Sequence, residues 1–214
     1  MNLRTLLTAT MALLAAALTG CASAPEPDQT FTTSLARYLG PPLPLRNPAP
    51  VPVRTLGVAV APGTVAADQR TLLALADAIV AGVPGVRITQ RIPASYLLTV
   101  PGRGTVQQAG RVYGVDAILM LSADQFASPT VGLVRLSAAE GDVDDTLTAP
   151  ARLGVVDVAL LPASGVPALW QTTVRHRAAL NSQPDLALAA LLADARAVLP
   201  GRFAAALSAA QPGG

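Results

Sequence analysis

Hydrophobic positions change their spacing several times along the chain, and each spacing predicts a different element. An apolar run from Leu6 to Leu18 follows a single charge at Arg4, which is the order found in the leader of an exported protein. Residues 55–61 are apolar at nearly every position, which predicts a strand covered on both faces. From 66 to 81 the apolar residues recur at helical spacing, so we expect a helix directly after that strand.

A second set of elements follows the same order. Residues 86–92 alternate between apolar and polar, which predicts a strand with one wet face or at a sheet edge. Residues 93–97 are expected to form one helical turn and residues 105–114 a helix, before a strongly apolar strand at 117–122. Helices between short apolar strands imply right-handed βαβ crossovers with parallel pairing.

Beyond Gln125 the pattern is one of strands without intervening helices. Strands are predicted at 130–136, 152–161 and 169–180, with an acidic turn at 140–145 between the first two. Such strands are expected to pair antiparallel, as a meander on the edge of the parallel part.

The last part of the chain is rich in Ala and Leu and predicts a long helix. Asp185 is expected to cap it, and Pro200-Gly201 is a candidate break after Leu199, before a last helical piece ends at Ala210. The predicted fold class is therefore α/β (α+β): a mixed sheet with a βαβ parallel start, followed by an antiparallel meander and a C-terminal helix.

The leader ends in Leu18-Thr19-Gly20-Cys21, which we interpret as a bacterial lipoprotein signal. Signal peptidase II would recognise Leu18, Thr19 and Gly20. Cys21 would become the first mature residue, with a diacylglyceryl group on its sulfur and an acyl chain such as palmitate on its amine. Two or more such chains anchor a protein stably in a membrane. Because Ala22 is not the Asp that resembles an inner-membrane retention signal, the expected location is the periplasmic face of the outer membrane.

Two alternatives compete with this interpretation of the leader. A transmembrane anchor needs about 20 apolar residues, whereas this run ends at Gly20, shortly before Pro25. An ordinary secretory signal would be cleaved at a site such as Ala22-Ser23-Ala24. That alternative leaves Cys21, the only cysteine, as a free thiol with no disulfide partner in the chain, so lipidation is the favoured interpretation.

These features divide the chain into four parts. Residues 1–20 are the predicted signal peptide, 21–53 the lipidated cysteine and a proline-rich tether, 54–210 a single periplasmic α/β domain, and 211–214 a tail. Prolines at the density of the tether favour extended structure, so we interpret it as a semi-rigid spacer, with docking of a partner on the prolines as the alternative. Within the tether, residues 33–40 are expected to form one or two helical turns.

Composition and charge exclude some classes of function. The chain is 51% hydrophobic and 3% aromatic, and all 15 of its basic residues are arginines. Without Arg4, the chain has fourteen scattered arginines and thirteen acidic residues. This near balance provides no basic patch of the kind that binds nucleic acid or an anionic membrane surface. The chain is long enough for one domain with a proper core.

The sequence offers little for catalysis or for metal binding. His176 is the only histidine, and on a strand it shares a face with Trp170, Val174 and Ala178, which indicates a half-buried packing residue. With one histidine and no spare cysteine, neither a zinc nor a copper site is expected, and no cofactor is predicted. Because no Gly-x-Ser-x-Gly motif occurs, no catalytic residue is predicted either.

Two loops carry weaker signals. Counting from Asp142, the acidic stretch places Leu147 and Leu153 where an EF-hand loop needs Gly and Glu, so we interpret it as a solvated hairpin tip. Residues 102–105 precede a helix in the manner of an anion-binding loop. They lack the lysine and spacing of a P-loop and are interpreted as a plain loop.

Asp157 interrupts an apolar strand at 155–159. A lone carboxylate in such a strand has to be paired, hydrogen-bonded or at an edge. A structural partner such as an arginine is the favoured interpretation, with a functional acid as the alternative.

Several short motifs of the mature chain resemble the rhombotarget lipoprotein family. They are the segments 92–97, 108–116, 121–125 and 141–146, together with the lipobox, the segment 34–39 and the proline-rich run 41–46. The resemblance implies a lipoprotein of bacteria that carry a rhombosortase, an intramembrane protease acting on carboxy-terminal Gly-Gly sorting signals. It implies no biochemical activity. Residues 212–214 are Pro-Gly-Gly without the apolar helix and basic tail of a full sorting signal.

A more distant resemblance covers the strand order and the segment 157–165. These resemble the fold shared by the TolB amino-terminal domain, the curli secretion lipoproteins and the lipoprotein activators of peptidoglycan synthases. That resemblance implies a domain that binds other proteins or assembles into rings and is not an enzyme.

The sequence thus leads to three ranked hypotheses. The first is a non-enzymatic lipoprotein anchored in the outer membrane that binds an unknown envelope protein, linked to rhombosortase-dependent envelope or surface-protein processing. The second is an oligomeric ring or pore subunit of the curli-secretion type, in which residues 125–151 supply membrane strands, although that region is short and has an acidic tip. The third, an enzyme, requires a cleft that joins Asp124, Asp157 and His176. The oligomeric state stays open.

Overall fold

The computed structural model of the chain describes residues 29–41, 52–64, 66–165 and 168–210. The predicted lipidation site Cys21, the predicted recognition residues Leu18, Thr19 and Gly20, and the tail 211–214 lie outside the described residues, as does most of the predicted tether. Within those described ranges, no helix combines the length and the apolar character needed to cross a membrane.

The described residues form eight strands and five helices. The strands are β1 (Gln29–Thr32), β2 (Thr55–Val60), β3 (Arg87–Arg91), β4 (Ala117–Ser128), β5 (Gly132–Ala138), β6 (Gly141–Leu147), β7 (Ala151–Pro162) and β8 (Trp170–Ala179). The helices are α1 (Ser34–Leu39), α2 (Ala66–Ala81), α3 (Ala94–Leu97), α4 (Arg103–Val112) and α5 (Pro184–Ala210).

The strands form two sheets. The larger has five strands in the order β3-β2-β4-β7-β8, and the smaller has three in the order β1-β5-β6. In the larger sheet, β2 pairs parallel with β3 and β4, whereas β4, β7 and β8 pair antiparallel. The predicted fold class is confirmed, with parallel pairs first, antiparallel strands after them and a helix at the C-terminal end.

Each face of the larger sheet is covered by apolar side chains. On one face, α2 and α5 contribute Leu72, Ile79, Leu191 and Phe203 to the main core cluster. The opposite face is divided: α1 and α4 cover one part, and the small sheet covers the outer ends of β4 and β7. On that face, Phe31 of β1 stacks on Phe126 of β4, with ring centroids 4.8 Å apart.

The antiparallel meander differs from the one the sequence predicts. Strands β5 and β6 leave the larger sheet and form the second one with β1, so β4 pairs directly with β7. The acidic stretch is also a strand and not a turn, because Asp142, Asp144 and Asp145 belong to β6. Their side chains pair with β5 and β8, as in Arg135–Asp144, so the strand keeps its charges solvated or balanced.

Part of the predicted tether belongs to the domain. Strand β1 pairs in parallel with β5, and α1 buries Leu35, Tyr38 and Leu39. The Thr33 side chain caps α1 by accepting a hydrogen bond from the N–H of Ala36 at 3.1 Å. Residues 29–39 therefore belong to the folded unit, which was predicted to begin at residue 54, because these side chains complete the apolar cover of the larger sheet.

The C-terminal helix is continuous through Pro200, where the sequence offered a break. Apolar residues recur every fourth position on both sides of the proline, and Leu199, Phe203 and Leu207 are all buried. This stripe packs on the larger sheet, and its burial outweighs the hydrogen bond that the proline cannot donate. The first helical hydrogen bond runs from Ala187 N–H to Gln183 O, so Asp185 lies in the first turn and is not the cap.

Candidate functional site: a buried carboxylate cluster beside an open strand edge

Asp157 lies in the middle of β7 with 0% of its surface exposed. Its Oδ2 accepts hydrogen bonds from the Thr33 hydroxyl at 2.6 Å and from the Ala139 N–H at 2.8 Å. Its Oδ1 accepts one from the Thr173 hydroxyl at 3.1 Å. The carboxylate is therefore held by two threonine hydroxyls and one backbone N–H, and not by the arginine that the sequence favoured.

Burial raises the pKa of Asp157 to about 6, because the apolar surroundings penalise the charged form. The bonds from Thr33, Ala139 and Thr173 act in the opposite direction, and the nearby charge of Asp124 adds to the rise. The pKa of Asp157 thus lies between the ordinary value for an aspartate and pH 7.

Asp124 lies beside Asp157 on the same face of the sheet. Its Oδ2 accepts hydrogen bonds from the Ser34 N–H at 2.9 Å and from the Ser122 hydroxyl at 3.0 Å, and its Oδ1 accepts one from the Ser34 hydroxyl. Ser122 is the direct register partner of Asp157, and its hydroxyl also accepts a bond from the Leu35 N–H. The two carboxylates and Ser122 form one connected cluster.

The buried carboxylate cluster, formed by Ser122, Asp124 and Asp157, has one evident effect. Its partners Thr33, Ser34 and Leu35 are the first residues of the α1 turn, where backbone N–H groups have no partner inside the helix. The cluster satisfies those groups and fastens the start of α1 to the larger sheet. Arg103 fastens the other end, since its guanidinium donates to the carbonyl oxygens of Leu39 and Pro41.

The cluster does not include His176. The strand alternation places His176 on the opposite face of the larger sheet, where its Nδ1–H donates to Asp194 Oδ2 of α5 at 2.8 Å. The structure thus brings Asp124 and Asp157 together and keeps the histidine apart, so the arrangement required by the enzyme hypothesis is not formed. His176 is half-buried, with 28% of its side chain exposed, as its position in the sequence predicts.

Residues 102–105 form no anion cradle. Gly102 precedes α4, and Arg103 already belongs to its first turn. The guanidinium of Arg103 reaches back to the end of α1 rather than toward solvent. In the described part of the chain, no group of three or more His, Cys, Asp or Glu side chains is placed to hold a metal ion.

A groove runs along the open edge of β8, next to the carboxylate cluster. Its volume is about 540 Å³, and its walls come from β6, β7, β8 and α5: Asp145, Leu153, Thr173, Val174, Arg175, Arg177, Asp194, Val198 and Arg202. Among the described strands, β8 pairs only with β7, so its other side presents backbone groups to this groove.

The backbone of β8 is blocked at one position and open beyond it. The outward N–H of Thr173 donates to Glu140 Oε2 at 3.0 Å, and its carbonyl accepts a bond from Arg202. By strand alternation, the N–H and C=O groups of Arg175 and Arg177 point the same way. They form the open part of the edge.

The side chains along this edge are mainly basic. Arg177 pairs with Asp145 of β6, and Arg202 donates to the Thr172 hydroxyl at 2.9 Å. Arg175 is exposed and has neither an ion pair nor a hydrogen bond with any residue that the structure describes. This edge was not predicted from the sequence, although the two arginines that flank His176 on a strand were a signal for it.

Two comparisons with known proteins found no relative of this chain. The sequence matches no protein-family model, and no curated protein matches it. The resemblance to rhombotarget lipoproteins therefore stays a prediction.

Several solved structures are similar to the chain at low identity. A PelC dodecamer from Paraburkholderia phytofirmans is 15% identical, with a TM-score of 0.39 over 78% of this chain and 94% of that chain. The lipoprotein GNA1162 from Neisseria meningitidis is 14% identical, with a TM-score of 0.37 over 64% of this chain and 93% of that one. Protein XCC0632 from Xanthomonas campestris is 14% identical, with a TM-score of 0.32 over 84% and 95%. At these scores the likeness carries no argument about what this chain does.

Proposed function

We propose that this chain is a lipoprotein, anchored at the periplasmic face of the outer membrane through acylated Cys21, whose domain binds another polypeptide and catalyses no reaction. The open edge of β8 is the observation that carries the proposal. An exposed strand edge with unpaired backbone groups is a template for an added strand.

The geometry of the edge suits a short extended segment. The backbone N–H and C=O of Thr173 already form hydrogen bonds with the side chains of Glu140 and Arg202. A partner strand can therefore pair only with the part of β8 that follows Thr173. There Arg175 and Arg177 present N–H and C=O groups in alternation. Two or three residues of a partner strand would satisfy them, while α5 provides the wall of the groove.

The charge of the edge selects the chemistry of the partner. Asp145 balances Arg177. Arg202 has no ion pair but is held by Thr172 and Thr173, which leaves Arg175 as the arginine of the groove with neither an ion pair nor a hydrogen bond within the described ranges. An acidic side chain on the incoming segment would form an ion pair with Arg175, and complementary charges increase specificity and association rate. We therefore propose an acidic extended segment of an envelope protein as the partner.

The buried carboxylate cluster supports the lipid-anchored part of this proposal. It fastens Thr33 and Ser34 to the sheet, and these residues lie twelve and thirteen positions after Cys21. A domain fastened so close to an acylated residue would be held near the membrane. The rhombosortase link belongs to the same proposal, with a rhombosortase substrate as one class of partner.

The ring or pore subunit is ranked second. Strands β3 and β8 are the two edges of the larger sheet, and head-to-tail pairing of such edges can close a ring. Each edge, however, carries an exposed arginine that has no ion pair among the described residues, Arg87 on β3 and Arg175 on β8. Like charges across the junction disfavour that pairing. This hypothesis assigns residues 125–151 to membrane strands, and most of that segment forms β5 and β6, which bury Val134 and Leu136 within the domain.

A pull-down from the native envelope tests the proposal. The lipidated chain is compared with Cys21→Ser, with Arg175→Glu and with Arg87→Glu, which reverses an exposed charge on the other edge strand. We expect one envelope protein to be captured by the parent chain and by Arg87→Glu, and at least tenfold less by Arg175→Glu. Equal capture by both charge reversals would contradict the proposed binding edge. Capture of further copies alone, at one large fixed mass, would favour the ring.

A further inference from the structure

The chain enters the domain beside one particular loop. Strand β1 begins at Gln29 and runs parallel to β5, so the incoming chain lies at the end of the domain where β5 begins. There the Gln29 side chain donates a hydrogen bond to the Thr130 hydroxyl at 2.6 Å. Thr130 belongs to the loop between β4 and β5.

This end of the domain exposes large apolar side chains. Val131 is 58% exposed in that loop and Leu133 is 36% exposed at the start of β5. Leu186, in the first turn of α5, is 66% exposed. The start of α5 is held to β4 by a bond from the Gln125 side chain to the Pro184 carbonyl at 2.9 Å, which places Leu186 toward the same end.

The loops at this end are also without charge. Three connections lie side by side there, because the strand ends from which they run are register partners. Ser128 of β4 pairs with Ala151 of β7, and Ala151 pairs with Ala179 of β8. The connections are residues 128–133, 147–151 and 179–184, and none of them contains an Asp, Glu, Arg or Lys. The charged residues nearest to these connections along the chain are Arg152, which follows Ala151, and Asp185, in the first turn of α5.

The distance to the anchor is short. Cys21 precedes Gln29 by eight residues, and eight residues span at most about 28 Å when fully extended. An uncharged, partly apolar surface held that close to an acylated residue fits a bilayer better than it fits water.

We infer that this end of the domain rests on the bilayer, with Val131 and Leu133 in contact with lipid. The inference rests on the proposed acylation of Cys21 and adds an orientation to it.

Site-directed spin labelling tests this contact. Cys21 is the only cysteine, and its sulfur is blocked in the acylated chain, so an introduced cysteine is the only thiol that reacts. Single labels are placed at Val131→Cys and Leu133→Cys, with Val100→Cys as the matched control, because Val100 is 63% exposed and lies between α3 and α4, outside the three end connections. The lipidated protein is studied on phosphatidylethanolamine and phosphatidylglycerol vesicles, and collisions with oxygen and with a water-soluble nickel chelate are compared.

We expect the ratio of oxygen to nickel collisions at 131 and 133 to be at least threefold the ratio at 100. Intact-protein mass spectra report the acyl chains on the same samples. Acylated protein with equal ratios at all three sites would overturn this inference alone. A protein without acyl chains on Cys21 would overturn the proposed anchoring and this inference with it.

Discussion

The Asp157 carboxylate accepts a hydrogen bond of 2.6 Å from the hydroxyl of Thr33, a residue 124 positions earlier in the chain. The bond is buried, and it joins the first helix of the described chain to the central part of the larger sheet. It explains why a carboxylate is tolerated in the apolar strand β7, and it leads to predictions for stability.

Replacing Asp157 with Asn should change how stability depends on pH. The pKa of Asp157 is raised to about 6, while that of an unfolded aspartate is about 3.9. Between these values the unfolded chain loses its proton first, so the free energy of unfolding falls as the pH rises, by about 3 kcal/mol in all. Asp157→Asn has no proton to lose. Urea denaturation at pH 3.5 and pH 7 should show the parent chain losing about 3 kcal/mol more than the variant over this interval.

Asp157→Ala is the control for this measurement. It leaves the buried donors of Thr33, Ala139 and Thr173 without an acceptor, so it should lower stability at every pH, whereas Asn can still accept from Thr33 and Ala139. The titration account would be wrong if the parent and Asp157→Asn lost the same stability between the two pH values.

A chain that begins at residue 52 should be far less stable than one that begins at residue 29. The shorter chain lacks Leu35, Tyr38 and Leu39, which are buried against the larger sheet, and burial of each such side chain is worth about 2 kcal/mol. It also leaves the carboxylates of Asp124 and Asp157 without several donors. We expect a loss of at least about 4 kcal/mol in the free energy of unfolding, measured by circular dichroism in urea. Equal midpoints would mean that residues 29–41 are only a tether.

Gly110→Ala should destabilise the packing of α4 against the turn after β7. A Cβ at position 110 would lie 2.8 Å from the Cβ of Ala163 and 3.3 Å from its Cα, so the backbone there would have to shift. The expected cost is about 1–3 kcal/mol. Gly104→Ala is the matched change in the same helix, where a Cβ would meet nothing within 4 Å, and it should gain up to about 1 kcal/mol. Thermal unfolding of the pair measures both, and equal shifts would refute the close contact.

The elements with strong hydrophobic periodicity were predictable from the sequence. Helix α2 has the predicted bounds, 66–81, because a single apolar stripe and the preceding Pro-Gly turn leave no competing arrangement. Strands β2 and β7 each lie within one residue of their predicted bounds, since nearly every position is apolar. The hydrophobic pattern alone predicts the bounds of a strand that is buried on both faces.

The elements that depend on distant partners were not predictable. Strand β6 was interpreted as a turn because acidic residues are rare in strands, and its balancing charges, Arg135 and Arg177, come from other strands. Pro200 suggested a break because local sequence does not report the packing of Leu199 and Phe203 on the sheet. Tertiary contacts override local propensity in both cases.

The candidate site was predictable only in part. A lone aspartate in an apolar strand pointed to Asp157, but its partners Thr33 and Thr173 come from segments 124 and 16 residues away, so no local pattern could identify them. The open edge of β8 depends on the strand order of the larger sheet, and strand order is set by pairing across the whole domain.

Photocrosslinking from the groove beside β8 tests the central claim, that the lipid-anchored domain binds a polypeptide at this edge. A photoreactive phenylalanine derivative replaces Val198, an exposed residue of the groove wall on α5, in one lipidated chain and the exposed Arg87 of β3 in another, so that Arg175 stays in place, and both are irradiated in the native envelope. The account predicts a discrete crosslinked product at 198, containing a different envelope polypeptide, that is absent at 87 and reduced in the Cys21→Ser form. Products of equal intensity at the two positions, or products that contain only further copies of this chain, would contradict it.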